Sequence, residues 1–224
     1  VAIEKFGYHK TCHNFIEGLL RPNKILDPKL LDAFALISRE PFLPAVQRQI
    51  AYLDSHNKIN DDRFLLSPFV LAQLLNIAEL KSDDKVLVIG AGTGYSMALL
   101  KKVVADVYGV ECLSELRDEA EQNLAEEFGG EVHVHLGALP YGYEEKAPYD
   151  VILVEGAFGE IPQELFRQLS LNGRLVGIYK PKPGPGMGQG VAWYKTNSGI
   201  SKTTYFDAQV PYLPGFEPVV KFKL

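Results

Sequence analysis

The chain has 224 residues, 46% of them apolar, and its 23 basic and 28 acidic side chains leave a net charge of −5. That suits a globular protein with a sizeable core, and a pI near 5.6 lacks the basic footprint of a dedicated nucleic-acid binder. No run approaches eighteen apolar residues, Val1–Lys10 has no apolar signal-peptide core, and Cys12 and Cys112 show no metal-type pairing, so a soluble cytoplasmic protein with reduced thiols is expected.

Asp27-Pro28 reads as a helix start, with Asp as N-cap and Pro at the first helical position. Leu30, Leu31, Phe34, Ala35 and Ile37 then form one apolar face, and Pro41 and Pro44 end the segment. Tyr52 to Arg63 carries polar residues without periodicity and reads as a loop. Pro68 opens a second apolar helix reaching Leu80. From Lys85 the pattern changes to strands alternating with helices. Val86–Ile89 is a strand buried on both faces, Ser96–Val104 a helix, and Asp106–Glu111 a second strand. Ser114 is placed to cap a helix whose Leu116, Ala120, Leu124 and Phe128 face inward, stopped by Gly129-Gly130. Val132, Val134 and Leu136 alternate as a third strand. Val151–Val154 forms a fourth, Pro162–Leu169 a helix, and Leu175–Tyr179 a fifth strand after an Asn172-Gly173 turn. Ala192–Thr196 and Thr203–Phe206 read as a terminal antiparallel hairpin. The stretch Pro181–Gly190 between them reads as a surface connection, with a flap over a site as the sharper alternative. The expected class is α/β, a doubly wound, mostly parallel sheet with an N-terminal helical extension and a C-terminal hairpin. Residues 1–224 form one domain, 1–80 being the extension and 81–224 the core.

Gly90-Ala91-Gly92-Thr93-Gly94 lies between a buried strand and a helix, where glycines allow a tight turn and close backbone approach to a ligand. Glu111 ends the next strand and can accept from both hydroxyls of a ribose. Together they point to a nucleoside-containing ligand. The dinucleotide fingerprint needs a sixth-position glycine, which here is Tyr95, so NAD is disfavoured. The G-x-G-x-G spacing resembles class I S-adenosylmethionine-dependent methyltransferases.

Within that superfamily, residues 14–215 resemble the protein-L-isoaspartate O-methyltransferases. The likeness runs through Leu20-Arg21-Pro22, Asp27-Pro28, Pro41-Phe42-Leu43-Pro44, Ala51-Tyr52, Ala147-Pro148-Tyr149-Asp150, Glu160-Ile161-Pro162, Asn172-Gly173-Arg174-Leu175-Val176 and Val210-Pro211. It implies methyl transfer from S-adenosylmethionine to the α-carboxylate of L-isoaspartyl residues in damaged proteins. It also implies a peptide or protein partner bearing isoaspartate, and no nucleic acid or membrane. Gly90, Ala91, Gly92, Thr93, Gly94, Glu111, Gly137 and Ala138 would line the cofactor seat. No metal is implied.

Three departures set this chain apart from the family pattern. The active-site loop Thr-Ile-Ser-x-Pro reads Phe64-Leu65-Leu66-Ser67-Pro68, so Leu66 stands at the hydroxyl position and Ser67 is the adjacent candidate. Val88 replaces an acid two positions before the glycines. Ala138 replaces the Asp that accepts from the adenine amino group. A methyltransferase with another acceptor, or a silent cofactor- or peptide-binding module, therefore stand as alternatives. Elsewhere, His9, Cys12 and His13 read as surface or packing residues, His133 and His135 as strand-surface residues, and Glu115–Glu127 as a solvated helix face. Glu155 either lines the site or supports a loop.

Overall fold

The computed structural model describes residues 12–130 and 132–218. Strands β3 (Lys85–Ile89), β4 (Asp106–Glu111), β5 (Val134–Leu136), β6 (Tyr149–Phe158) and β7 (Leu169–Tyr179) are parallel neighbours, and β8 (Gly188–Thr196) and β9 (Gly199–Ala208) extend the sheet antiparallel. The order is β5-β4-β3-β6-β7-β8-β9. Alternate residues of β3 feed two cores. Val86 and Val88 join α3 (Tyr95–Lys101), α4 (Ser114–Phe128) and the N-terminal helices, while Leu87 and Ile89 join Tyr149, Ile152 and Leu165 of α5 (Gln163–Gln168) on the opposite face. That is the doubly wound α/β class expected from the βαβ alternation. The chain leaves β3 in one direction and returns at β6 on its other side. The glycine loop after β3 therefore sits where the strand order reverses, the place where open α/β sheets bind ligands.

The N-terminal helices share the first of these cores. In α1 (Pro28–Leu36) the Asp27 carboxylate accepts from Lys29 N at 2.8 Å and caps the helix as expected. Ala33, not Ala35, fills its buried face, and Ala35 is exposed. In α2 (Pro68–Ile77) the C-terminal carbonyls are clamped to β7. Arg174 donates to Ala78 O, to Glu79 O at 2.8 Å and to Asp84 Oδ2 at 2.6 Å, and both side chains are buried.

Several boundaries differ from the sequence reading. Residues 52–63 are not all loop: β1 (Asn57–Asn60) and β2 (Arg63–Leu65) pair antiparallel. Its buried residues include Asn57 and Arg63, so apolar alternation could not reveal it. Ser114 is not a cap; Leu113 holds that place, and its N–H is taken by the Glu111 carboxylate at 3.2 Å. β5 starts at Val134, as an edge strand with Leu136 exposed. β6 and β7 are longer than expected, and the extra residues 170–173 of β7 bulge through Asn172, whose φ is 64°. Helix α3 begins one residue early, at the buried Tyr95. Pro181–Met187 is an exposed connection.

Candidate functional site

The glycine loop is shaped as its sequence requires. Gly90, Gly92 and Gly94 have φ of 82°, 55° and 95°, a region that residues with a Cβ enter at a cost. Its amides are largely spoken for. Gly90 N and Ala91 N donate to Val110 O at 2.9 and 3.0 Å, Gly94 N donates to Ala91 O at 2.9 Å, and Gly92 N donates to Glu111 Oε2 at 2.8 Å. Few of the loop's amides are thus left free to donate to a ligand. Thr93 ties the loop to the N-terminal segment by donating to Phe42 O at 2.7 Å. Gly137 N donates to the Glu111 carbonyl at 3.0 Å, and Ala138 beside it is exposed, with no polar atom to offer an adenine.

Glu111 stands at the end of β4 as expected, but its carboxylate is fully buried and already engaged. Oε1 accepts from Cys112 N at 2.8 Å, from Leu113 N, and from the guanidinium of Arg63, whose second arm donates to Gly90 O at 3.0 Å. Arg63 is 1% exposed. The sequence reading missed it. The available signal was an arginine immediately before the loop that resembles the family's active-site segment.

A Cβ at Gly90 would meet Leu213 Cδ2 at 2.8 Å and Arg63 Nη2 at 3.1 Å, and one at Gly92 would meet Ile59 Cδ1 at 2.9 Å. All three obstacles are the far ends of flexible side chains. The backbone cradle and the strand-end carboxylate fit S-adenosylmethionine in chemistry. In space, the tips of Arg63, Leu213 and Ile59 stand over the cradle and would have to swing aside for it to enter.

Leu66 is 2% exposed, and its carbonyl accepts from Arg39 Nη2 at 2.5 Å. Arg39 is fully buried, lies over the Tyr95 ring at 5.0 Å, and also donates to Asn57 Oδ1 at 3.2 Å, so it fixes the hairpin to the loop from beneath. Ser67 Oγ accepts from Val70 N at 3.1 Å and caps α2. That contact uses a lone pair of Oγ and leaves its O–H free to donate. Ser67 N donates to His56 Nδ1 at 2.9 Å, so His56 carries its proton on Nε2 and donates it to Gln209 O at 2.7 Å. One ring thereby joins the hairpin, α2 and the segment after β9. Against these elements lies a cavity of about 610 Å³, lined among others by His56, Ser67, Phe69, Lys180, Val210 and Pro211.

Glu155 is 4% exposed at the ligand end of β6. Burial pushes its carboxyl up to about 7, opposed by the Ser96 hydroxyl and the guanidiniums of Arg63 and Arg39. A carboxyl raised on folding contributes its full stability below the unfolded value, 4.5, and loses it as pH climbs through about 7. Glu155→Gln is therefore expected to remove about 3 kcal/mol of stability loss between pH 4.5 and 8. Urea titrations of both proteins across that range check it. Parallel curves would place the titration elsewhere.

The other residues singled out from sequence lie away from this centre. Cys12 donates to Phe34 O at 3.0 Å in the core, His13 is exposed, and His9 lies outside the described residues. His133 and His135 are exposed, and His135 stacks on Tyr143 at 4.3 Å. Val88 is buried in β3.

A family profile described as protein-L-isoaspartate(D-aspartate) O-methyltransferase matches residues 10–205. A protein-L-isoaspartate O-methyltransferase of Methanoculleus marisnigri is 37% identical over 167 residues, covering 75% of this chain and 76% of the relative. One from Protochlamydia amoebophila is 36% identical, covering 72% and 77%. Among solved structures, a protein-L-isoaspartate O-methyltransferase superimposes with a TM-score of 0.78 at 25% identity, over 92% of this chain and 67% of that one. A Plasmodium falciparum protein described as such an enzyme, in complex with S-adenosyl-L-homocysteine, superimposes at 0.71 with 19% identity, over 92% and 97%.

Proposed function

Because the chain belongs to the protein-L-isoaspartate O-methyltransferase family, we propose that it methylates the carboxylate of L-isoaspartyl residues in damaged proteins. The observation that carries this reading is the glycine loop at the reversal point of the sheet, with Glu111 at the next strand end and a groove alongside. The family's donor, S-adenosylmethionine, supplies when bound an electrophilic methyl group that passes to an ionised carboxylate, leaving a neutral thioether. Gly90, Ala91, Gly92, Thr93 and Gly94 would hold it, Glu111 would take its ribose, and Gly137 and Ala138 would flank its adenine. An isoaspartyl carboxylate is already ionised at neutral pH, so the protein's task is alignment and exclusion of water. Arg39 holds the Leu66 backbone rigid beside the groove, and the apolar walls of Phe69 and Val210 shed water from it.

On this reading residues 1–224 act as one domain, with residues 1–80 on the substrate side, and the protein works in the cytoplasm. Among the described residues no helix is long and apolar enough to cross a membrane.

Leu66, which offers the acceptor no hydroxyl, and the Arg63–Glu111 pair favour a second reading, a binding module without turnover. Transfer of labelled methyl to an isoaspartyl peptide, with the aspartyl peptide as control, separates the two. We expect transfer in the wild type and a further rise of up to about tenfold in Leu66→Ser, where a second donor reaches the acceptor carboxylate, since a hydrogen bond to a charged group is worth roughly 1.5–3 kcal/mol. Ser67→Ala should leave the rate unchanged and cost about 1 kcal/mol of stability through its lost cap. No transfer by either the wild type or Leu66→Ser, with the donor analogue bound, would leave the module reading.

A further inference from the structure

Between the glycine loop and the large groove lies a second, narrow cavity of about 10 Å³, lined by Arg63, Leu66, Glu155, Gly156 and Leu213 among others. Pro211 borders both cavities. Glu155 reaches this junction through a bulge. Between the pairs Leu153–Val176 and Ala157–Ile178, β6 has three residues against one of β7. Bulges of this kind re-aim side chains at functional sites. The segment after β9 locks it, since Ala157 N donates to Pro211 O at 2.8 Å and Leu213 N to Ala157 O at 3.0 Å. Among the described residues Glu155 Oε1 has no hydrogen-bond partner, although the side chain is buried. An unpartnered buried oxygen is costly, and its place beside Leu66 is where the family resemblance calls for a hydroxyl.

We propose that Glu155 is the residue that receives the acceptor carboxylate, its carboxyl group donating the hydrogen bond that Leu66 cannot. The inference rests on the isoaspartyl reading above and assigns its acceptor contact. Donation requires the protonated form, and burial supplies it near neutral pH. The charged groups around Glu155 come from every neighbouring element. Arg63 and Asp62 belong to the hairpin, Arg39 to the N-terminal segment and Glu111 to β4, with the Ser96 hydroxyl on α3 and Tyr212 on the segment after β9. Arg39 offsets the acceptor's charge, whereas an ionised Glu155 would repel it. A cavity of about 10 Å³ holds about one water, so entry of the acceptor goes with withdrawal of Arg63.

The test compares wild type, Glu155→Gln and Glu155→Ala from pH 5.5 to 8.5. It reads kcat/KM for an isoaspartyl peptide at saturating donor, and the peptide's Kd with S-adenosyl-L-homocysteine present. S-adenosyl-L-homocysteine affinity alone reports whether each variant is folded around its cofactor seat. We expect wild-type kcat/KM to fall, and Kd to rise, about tenfold per pH unit above neutrality. Glu155→Gln, whose amide also donates, should keep near wild-type values and lose the pH dependence. Glu155→Ala should lose about ten- to a hundredfold, the worth of a charge-assisted hydrogen bond. Three results overturn the proposal: Glu155→Gln as impaired as Glu155→Ala, the same pH fall surviving in Glu155→Gln, or a wild-type rate that rises through neutrality, the mark of a general base. Any of these, with methylation by the wild type, leaves the isoaspartyl function standing. A wild type that binds S-adenosyl-L-homocysteine but neither methylates nor binds the peptide rejects both.

Discussion

Arg63→Ala is expected to bind S-adenosyl-L-homocysteine about ten- to a hundredfold more tightly than the wild type. The guanidinium grips both Glu111 and the Gly90 carbonyl, the carboxylate and backbone against which a ribose and its nucleoside would settle. Binding in the wild type must first undo a charge-assisted contact worth roughly 1.5–3 kcal/mol; the variant is spared that step. The same substitution strands the Glu111 carboxylate without its cation. Loss of one partner of a buried pair costs about 3–5 kcal/mol, which for a chain of this size lowers the melting temperature by about 6–20 °C. Calorimetry and thermal unfolding with and without the ligand read both effects. An affinity that stays level or falls would mean that Arg63 helps to hold the cofactor instead of competing with it. Glu111→Ala, by contrast, should lose most of the binding.

Arg174→Ala is expected to cost a further 3–5 kcal/mol of stability, at a place remote from the glycine loop. Its guanidinium donates to the Ala78 and Glu79 carbonyls and pairs with Asp84, so three acceptors lose their donor together. Glu79 sits at φ 49°, a conformation that needs such an anchor. Denaturant titration should show the loss, and S-adenosyl-L-homocysteine affinity should stay within about twofold. A large change in affinity would show that the clamp transmits to the far end of α2, where Ser67 and Leu66 lie.

The parallel core was legible because each of its strands and helices carries its own apolar period, and Gly90–Gly94 and Glu111 stand where that pattern placed them. What escaped was the cover over the loop. The β1–β2 hairpin packs Asn57 and Arg63 inward, and buried polar residues erase the alternation by which strands are read. Arg63 reads as a surface charge until Glu111 is seen beside it, forty-eight positions away. Ser67 stands both beside Leu66 and before Pro68, and only the structure shows that its Oγ accepts from Val70 N as the cap of α2. Glu155 could not be decided from sequence because the β6 bulge that aims it leaves no mark on the apolar run.

The wall over Gly90 and Gly156 is Leu213, held by main-chain bonds to Ala157. The proposed nucleoside seat thus draws on three stretches of chain far apart in order: the hairpin, the β3 loop and the residues after β9. During synthesis from the amino terminus the hairpin and the β3 loop are made first, then Gly156, and Leu213 follows 57 residues later. Closure comes only when Leu213 has been added and has found its place. Contacts of such high sequence separation raise the contact order, which slows folding. A chain cut before Leu213 is therefore expected to keep the loop and Glu111 but to lack one of the three side chains that stand over them.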